Sequence, residues 1–554
     1  MILGGMEAVH GSDGLVDGTL ALERADWDAA RAAFQSVLEA VDAPDAHEGL
    51  GQALWFLGSV TEGIAARERA FEGFVRAGRC DDAARVAVWV SHQHLLGGRA
   101  SAARGWLARA ERSLEGVGGS CTGRGWVAVE RARHAQSVEE QIAHARRAMR
   151  IAREWGDGDL EVFALSLLGR AVVNAGGREG GMRLLEEAMA AASAGRVRNV
   201  HTLAEAYCNL IEACVSAGEW ERAAEWCELV DEFARTHATA PLFGACRTIH
   251  ANVLLATGHW PEAERALESA LATHARYVPQ MSAPTVATMA ELRVRQGRLL
   301  EAERLLAGRE EHPSSLRALA LLRIAEDRAQ VAAVLLERGL RTAGDHAVRA
   351  SQLLAPLVDA RLACGDADGA EAAARVLAEL AHATGIRLVV ACADLAAARV
   401  ALHAGRRTDA AEPARRALAA FSALAMPLDA GEARLELARA LTGEASELAR
   451  DEARTAFEAF RALGASGAMD AAAAVLRDLG GATGPRPRAA GDLTKREQEV
   501  LGLLTLGMSN ARIAQALVIS EKTAGHHVSR ILTKLGVRNR AEAAAHAARA
   551  ASST

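Results

Sequence analysis

The sequence predicts an all-α fold: a long α-solenoid of helical hairpins followed by a small four-helix domain. Ala, Leu and Val dominate its apolar half, and only 4% of residues are aromatic, a composition that favours helices over strands. A short glycine motif recurs about every 40 residues, which is typical of stacked helical hairpins. The length of 554 residues also exceeds what one compact core usually holds, so an array is expected.

The repeated motif is a Gly with a small residue, usually Ala, five positions later. Its clear copies are Gly78…Ala83, Gly98…Ala103, Gly218…Ala223, Gly258…Ala263, Gly297…Ala302, Gly365…Ala370 and Gly405…Ala410. Looser copies are Gly177…Met182 and Ala25…Ala30, and a degenerate copy is expected near residues 326–331. In each copy the Gly should end one helix in the left-handed conformation, and the small residue should let the next helix approach closely.

The spacing of the motif indicates one hairpin per repeat. Gly177, Gly218, Gly258 and Gly297 follow one another at intervals of 41, 40 and 39 residues. The pattern resembles tetratricopeptide (TPR) repeats, although its period is nearer 40 than the ~34 of that family. Three tryptophans occupy equivalent turn positions, namely Trp27, Trp220 and Trp260. We expect them to pack in the core, with ligand contact as the alternative.

Catalytic, cofactor and metal sites are not expected from this sequence. No phosphate-binding loop of the form G-x-x-x-x-G-K-[ST] occurs, and no two Cys form a C-x-x-C pair. His92-Gln93-His94 lacks a Cys or carboxylate at ligand spacing, so we interpret it as a solvated loop or helix end. We therefore expect a protein that is not an enzyme and holds neither cofactor nor metal.

The N-terminus lacks the basic and apolar regions of a signal peptide, and no apolar run approaches the ~18 residues of a membrane span. The protein is therefore expected in the cytoplasm, without a membrane partner. A linker at residues 480–491 contains four Gly and two Pro, which forbid a helix. It separates a TPR-like body (residues 1–479) from a C-terminal head (residues 492–554).

Charge is divided unevenly between these parts. Residues 485–554 carry 11 Lys or Arg against 5 Asp or Glu, a balance of +6. Because the whole chain has a net charge of −6, the remainder carries −12. A basic end on an acidic chain is expected where that end meets phosphate.

The head should form four short helices. Thr494 and Glu497 form a capping box for the first, and Ser509 caps the second. Ser520 caps the third, in which Ala524, Val528, Ile531 and Leu535 recur at helical spacing as a buried stripe. Its opposite face has no acidic and no large apolar residue: Lys522, Gly525, His526, Ser529, Arg530 and Thr533. Such a face can enter the DNA major groove, although an ordinary solvated face is the alternative.

We assign roles to these side chains from their positions. His526, Ser529 and Arg530 are expected to select bases. Lys522, Thr523, His527 and Lys534 are expected to contact phosphate or position the helix, His527 having a structural role as its alternative. Ser509 and Asn510 begin the second helix and complete the predicted DNA-binding set. In the fourth helix a small-residue stripe is a candidate dimer contact: Ala541, Ala544, Ala545 and Ala548.

The head resembles the LuxR-type helix-turn-helix domain. The matching motifs are Leu493-Thr494-x-Arg496-Glu497-x-Glu499-Val500-Leu501, Ser509-Asn510-x-x-Ile513-Ala514-x-x-Leu517, Ile519-Ser520-Glu521-x-Thr523, His527-Val528, Ile531-Leu532-x-Lys534-Leu535-Gly536-Val537 and Asn539-Arg540-x-Glu542-Ala543. The resemblance implies a bacterial transcription factor whose third helix reads double-stranded DNA and whose fourth helix can form a homodimer. Two residues depart from the family pattern, Ala524 replacing the usual Val and Gly525 a frequent Lys.

The resemblance leaves the input open. Larger relatives of this type place an ATP-binding domain before their repeats, and no phosphate loop is found here. Input is therefore expected through the solenoid, from a partner protein, a peptide or a small ligand on its concave face. The alternative is an interaction scaffold whose head no longer binds DNA, because Ala524 and Gly525 weaken that head.

Overall fold

The computed structural model divides into two compact units, residues 1–480 and 481–554, of which the first contains the predicted body and the second the predicted head. The residues that it describes are helical or lie in turns, with no strand among them. They are 3–236, 240–343, 346–443, 445–480, 495–505, 508–517, 524–525, 528, 531–532, 537 and 542–544.

The body is a series of helices joined by short turns. They are α1 (Leu3–Glu23), α2 (Trp27–Ala40), α3 (Pro44–Phe56), α4 (Val60–Arg76), α5 (Cys80–Leu96), α6 (Ala100–Ser113), α7 (Thr122–His134), α8 (Val138–Trp155), α9 (Gly158–Asn174), α10 (Arg178–Ala191), α11 (Val200–Ala217), α12 (Trp220–Thr236), α13 (Ala240–Ala256), α14 (Trp260–Tyr277), α15 (Ser282–Arg295), α16 (Leu299–Leu306), α17 (Leu316–Ala325), α18 (Ala329–Ala343), α19 (Ala347–Ala363), α20 (Ala367–Thr384), α21 (Arg387–His403), α22 (Arg407–Ala423), α23 (Pro427–Ala440), α24 (Ser446–Leu463) and α25 (Ser466–Asp478). The head contains α26 (Lys495–Thr505) and α27 (Asn510–Leu517).

These helices form two layers of a solenoid. Each helix packs on the next, and from α5 onward each odd-numbered helix also packs on the following odd-numbered one. The odd-numbered helices therefore form the inner layer and the even-numbered helices the outer one. In addition α3 contacts α13, α11 contacts α21, and α15 contacts α25. Contacts ten helices apart mean that about five hairpins complete one superhelical turn.

The turns have the geometry that the repeated motif predicts. Gly78 has a φ of 71°, and its N–H donates to the carbonyl of Val75 at 3.1 Å. The next N–H, of Arg79, reaches back to the carbonyl of Phe74 at 2.9 Å, the long bond of a Schellman motif. Every Ala at the fifth position of the clear copies is fully buried, as are Ala30 and Ala332 in the weaker ones. The small residue therefore marks the position at which the helix after the turn packs closely against its neighbours.

Three copies differ from the sequence prediction. The positive-φ residue in the fifth hairpin is Gly176, not Gly177, so the small residue of that copy is Gly181 and not Met182. A Cβ at Gly181 would lie only 2.6 Å from the carbonyl oxygen of Gly169. The close approach of the two helices therefore occurs at position 181, which explains why the motif begins at Gly176. Gly58 has a φ of 83° and begins a copy that the sequence analysis missed. The Gly78 copy joins α4 to α5, and so lies between two hairpins.

The degenerate copy is confirmed, with a non-glycine residue in the left-handed region. Asp327 has a φ of 59°, and Ala25 in the first hairpin has a φ of 57°. Both make the same pair of backbone hydrogen bonds as the glycine turns. Turns without glycine therefore keep the same geometry, although a non-glycine residue in the left-handed region costs about 1–2 kcal/mol of local strain.

The three turn tryptophans pack in the core as expected. Trp27, Trp220 and Trp260 each begin an outer helix and are at most 7% exposed. The indole Nε1 of Trp260 donates to the carbonyl of Leu255 at 3.1 Å, which ties the new helix to the end of the previous one. Within the described ranges, no helix combines the length and apolar character needed to cross a membrane.

Candidate nucleic-acid interface

The head has its own apolar core. Val500 and Leu504 of α26 meet Ile513 and Ala514 of α27, and all four are buried. The third-helix residues described in this core are Ala524, Val528 and Ile531, each at most 9% exposed. Three members of the predicted buried stripe are thus confirmed, while Leu535 lies outside the described residues.

The second helix of the head begins as predicted. The Ser509 carbonyl accepts from the N–H of Ile513 at 2.9 Å, and its Oγ accepts from the N–H of Arg512 at 3.4 Å. Ser509 is therefore the N-cap of α27. Arg512, which the sequence analysis did not single out, is exposed in the first turn. A basic side chain beside a helix N-terminus is a common phosphate contact, and this position could have been found from the predicted cap.

The structure brings two predicted site residues together. A Cβ built at Gly525 would lie 3.6 Å from Nδ2 of Asn510, an ordinary van der Waals distance. Asn510 is half-buried, and its Oδ1 has no hydrogen-bond partner in the described part of the chain. Space alone therefore does not require glycine at position 525.

The remaining predicted site residues stay predictions. Those of the recognition helix that lie outside the described residues are Lys522, Thr523, His526, His527, Ser529, Arg530 and Lys534. The same is true of Ala541, Ala545 and Ala548 in the proposed dimer stripe. Ala544 is half-buried, and its neighbour Ala543 is fully buried in the head core.

In the body, the interpretation of His92-Gln93-His94 as a solvated segment is wrong. All three residues are buried within α5. The His92 Nε2 lies 2.9 Å from Oε1 of Glu205 on α11, whose other oxygen accepts from Arg133 on α7 at 2.9 Å. His201 on α11 stacks on Trp89 with the ring centroids 4.4 Å apart. No local sequence pattern indicates this cluster, because its members are up to 113 residues apart.

Burial and charge fix the ionisation of this polar network. Burial lowers the pKa of His201 well below its usual range, so its ring is neutral near pH 7. Burial opposes ionisation of Glu205, but the charges of Arg133 and His92 outweigh it and hold the pKa of that carboxyl well below its usual range. Glu130 likewise has its pKa lowered to about 2 despite burial, through its hydrogen bond with His134 and the charge of Arg133.

His92, His201 and Glu205 are close enough together to be considered as metal ligands. Both oxygens of Glu205 are already engaged, one of them by a guanidinium that would repel a cation. The Nδ1 atoms of both histidines also lack an acceptor among the described residues, whereas metal-bound histidines usually have one. The cluster is therefore better explained as an ion-pair network that joins α5, α7 and α11.

Comparison with known proteins identifies the head. Residues 492–547 match the sequence family described as bacterial regulatory proteins, luxR family. The chain is 43% identical over 77 residues to the DNA-binding transcriptional activator DevR/DosR of Mycobacterium tuberculosis, covering 14% of this chain and 35% of that protein. It is 49% identical over 51 residues to the spore germination protein GerE of Bacillus subtilis, covering 9% of this chain and 69% of GerE.

The body is compared with solved structures. The chain is similar to a chain in the crystal structure of the APC/C hetero-tetramer Cut9–Hcn1, with a TM-score of 0.39 and 10% identity. That comparison covers 96% of this chain and 95% of the other.

The matches cover only part of most of these relatives, and this limits the conclusions that they support. The chain spans about a third or less of the length of the first curated relatives that it matches, at 35%, 29% and 22%. GerE differs, since more than two thirds of its length aligns at 49% identity. Through its head, the chain belongs to the LuxR family of bacterial regulatory proteins.

Proposed function

We propose that this protein is a transcriptional regulator that binds double-stranded DNA through its head and receives its input through the helical body. The observation that carries the proposal is the head core, in which the family's helix-turn-helix residues pack as the sequence pattern requires. A third helix whose apolar stripe is buried leaves its polar face for the major groove. The +6 balance of residues 485–554 supports a phosphate partner.

The protein is proposed to act by binding and not by catalysis, as a homodimer on an inverted-repeat site. Half-sites about one helical turn apart would match two copies of the head. A function on chromosomal DNA places it in the bacterial cytoplasm. The body is proposed to hold a protein, peptide or small ligand on its inner face.

The test is DNA binding by the full chain. Genome-wide mapping of bound sites should return a common inverted repeat, and a mobility-shift assay should reproduce binding to it. Substitution of His526→Ala should cost about 1–3 kcal/mol on that site and little on random DNA, because a base contact is lost. Substitution of Lys534→Ala should weaken binding to both DNAs and reduce the salt slope by about one unit.

The outcomes separate the two candidate functions. Equal losses on both DNAs for His526→Ala and Lys534→Ala would contradict the proposed placement of the recognition helix. No mobility shift on any mapped fragment at low salt would instead favour the interaction scaffold whose head no longer binds DNA.

A further inference from the structure

The inner face of the body contains a partly open cavity of about 490 Å³. Most of its walls come from the inner helices α9, α11, α13 and α15 and, further along the solenoid, from α17, α19, α21 and α23, and Trp220 at the start of α12 also lines it. The contact between α11 and α21 brings these two parts of the solenoid together. Small-molecule sites typically have volumes of roughly 300–1,000 Å³, so this cavity has the size of a ligand site.

Charged side chains line the cavity unequally. Its guanidinium groups belong to Arg170, Arg295, Arg317 and Arg349, and its carboxylates to Glu212, Glu291 and Asp429. Glu212 pairs with Arg170, whereas Glu291 is shared by Arg295 and Arg317. Arg349 is exposed and forms no ion pair with a described residue. Among the described residues that line the cavity, guanidinium groups therefore outnumber carboxylates by one.

Ionisation strengthens this imbalance near neutral pH. Burial, together with the charge of Glu432, raises the pKa of Asp429 to about 6, so that carboxyl is protonated in part of the molecules. Burial and the positive charges of Arg349 and Arg170 lower the pKa of His346 to about 4, so its ring is neutral. The cavity therefore keeps an excess positive charge that does not depend on His346.

Several buried polar atoms in the wall have no partner among the described residues. Nδ2 of Asn174 donates to Nε2 of His346 at 2.9 Å, which leaves the ring proton on Nδ1. This Nδ1–H, Nε1–H of Trp220 and Oδ1 of Asn174 make no hydrogen bond in those ranges. Asn174 and Trp220 are 3% and 7% exposed, so bulk water does not readily replace the missing partners, and leaving these atoms unpaired is unfavourable. Together with the guanidinium of Arg349, these unpaired groups comprise three kinds of donor and one acceptor.

Apolar side chains make up much of the remaining wall. They are Val215, Ile249, Leu255, Val348, Leu388 and Met426. A ligand that fills the cavity should therefore have an apolar body as well as an acceptor-rich end.

We propose that this cavity binds a small organic acid with an apolar body, whose carboxylate pairs with Arg349 beside His346 and Trp220. A hydroxyl or amide N–H elsewhere on the ligand would satisfy Oδ1 of Asn174. A free carboxylic acid and the C-terminus of a short peptide share this chemistry. The inference rests on the proposed function, since it names the ligand class through which the body receives input.

The test measures binding to the full chain by calorimetry in the absence of DNA. The free-acid probes are 4-methylpentanoate and the tripeptide Ala-Ala-Leu, and their matched neutral probes are 4-methylpentanamide and the tripeptide with an amidated C-terminus. At least one acid should bind, and its amide should bind at least about tenfold more weakly, as expected for the loss of a hydrogen bond to a charged group. The acid that binds identifies the source of the carboxylate.

Three variants assign the binding to the cavity. Substitution of Arg349→Gln should lower the affinity for the acid at least about tenfold. Trp220→Phe keeps an aromatic ring but removes the indole N–H together with the pyrrole ring, and it should lower the affinity several-fold. Arg375→Gln, at an exposed position on the outer helix α20, is the control and should bind normally. Circular dichroism checks that each variant is folded.

Binding of neither acid at millimolar concentration, or equal binding by the Arg349→Gln variant, would overturn the inference. Because no DNA is present, that failure would leave DNA recognition by the head untouched. Conversely, if the acid binds but the full chain shifts no DNA fragment, the proposed DNA-binding function would be contradicted while the ligand site in the cavity would be supported.

Discussion

Two groups of glycines occupy the same position in the repeated motif and have different surroundings. Gly78, Gly98, Gly365 and Gly405 have a φ of 71–81°, and a Cβ built on any of them would meet nothing within 4 Å. Gly176, Gly218, Gly258 and Gly297 have a φ of 74–90°, yet each faces another part of the solenoid. A Cβ at Gly176 would overlap the carbonyl of Thr384, and one at Gly258 would lie 2.6 Å from Cγ of Pro427.

The difference separates a local requirement from a tertiary one. Every turn of the repeated motif contains a residue with positive φ, and Ala25, Asp327 and Ala425 show that this residue need not be glycine. Only the second group also needs the absence of a side chain, because a later superhelical turn packs against these turns. One contact between superhelical turns lies next to Gly297. There the carbonyl of Gln296 accepts a hydrogen bond from Oγ of Ser466 at 2.5 Å.

The largest expected effect is that of Gly176→Ala. The new Cβ would overlap a backbone carbonyl, which cannot rotate away as a side chain can. We expect a loss of more than about 3 kcal/mol in the free energy of unfolding, against about 1–2 kcal/mol for the control Gly405→Ala, which only strains φ. Urea unfolding of the two variants measures the difference. Equal losses in the free energy of unfolding would mean that Gly176 is needed only for the positive φ of its own turn and not for contact with Thr384.

A second prediction concerns the small residue of the motif. Ala370 is fully buried in α20, whereas Ala378 on the same helix is exposed. Ala370→Leu should lower the free energy of unfolding by about 1–3 kcal/mol through overpacking, and Ala378→Leu should change it by less than about 0.5 kcal/mol. The same unfolding measurement applies, and a neutral Ala370→Leu would refute close approach at this position.

A third prediction contrasts the turn glycines with a glycine inside a helix. Gly525 is helical and has ordinary space for a Cβ beside Asn510. Gly525→Ala should therefore stabilise the head by up to about 1 kcal/mol, the opposite sign to a turn glycine. Thermal unfolding of the full chain, followed by a probe in the head, would show a raised midpoint; a lowered one would indicate a steric need for Gly.

The smallest expected effect is the reverse substitution at a turn. Ala425 is exposed with a φ of 52°, so Ala425→Gly removes left-handed strain but adds chain entropy to the unfolded state. The net gain should be under about 1 kcal/mol. Ala423→Gly, at the exposed end of α22, is a suitable control that should lose stability.

Local patterns were enough to predict the fold class, most of the motif turns and the core of the head. A positive φ at Gly78 and burial of Ala524 follow from residues a few positions apart, whose spacing along a helix is set by the backbone. The register at Gly176 was ambiguous, because Gly177 satisfies the same pattern. Packing of Gly181 against the carbonyl of Gly169 decided it.

The helical hairpin, its period and the motif of the family's head could all be predicted from the amino-acid sequence, since each depends on short-range spacing. Long-range packing is needed to explain which glycines must lack a side chain, and which polar groups share the network at His92 and the inner cavity. The Asn174–His346 hydrogen bond joins residues 172 positions apart. Such pairs depend on the curvature of the solenoid, which is the sum of small rotations over many hairpins. A local sequence pattern does not reveal this total curvature.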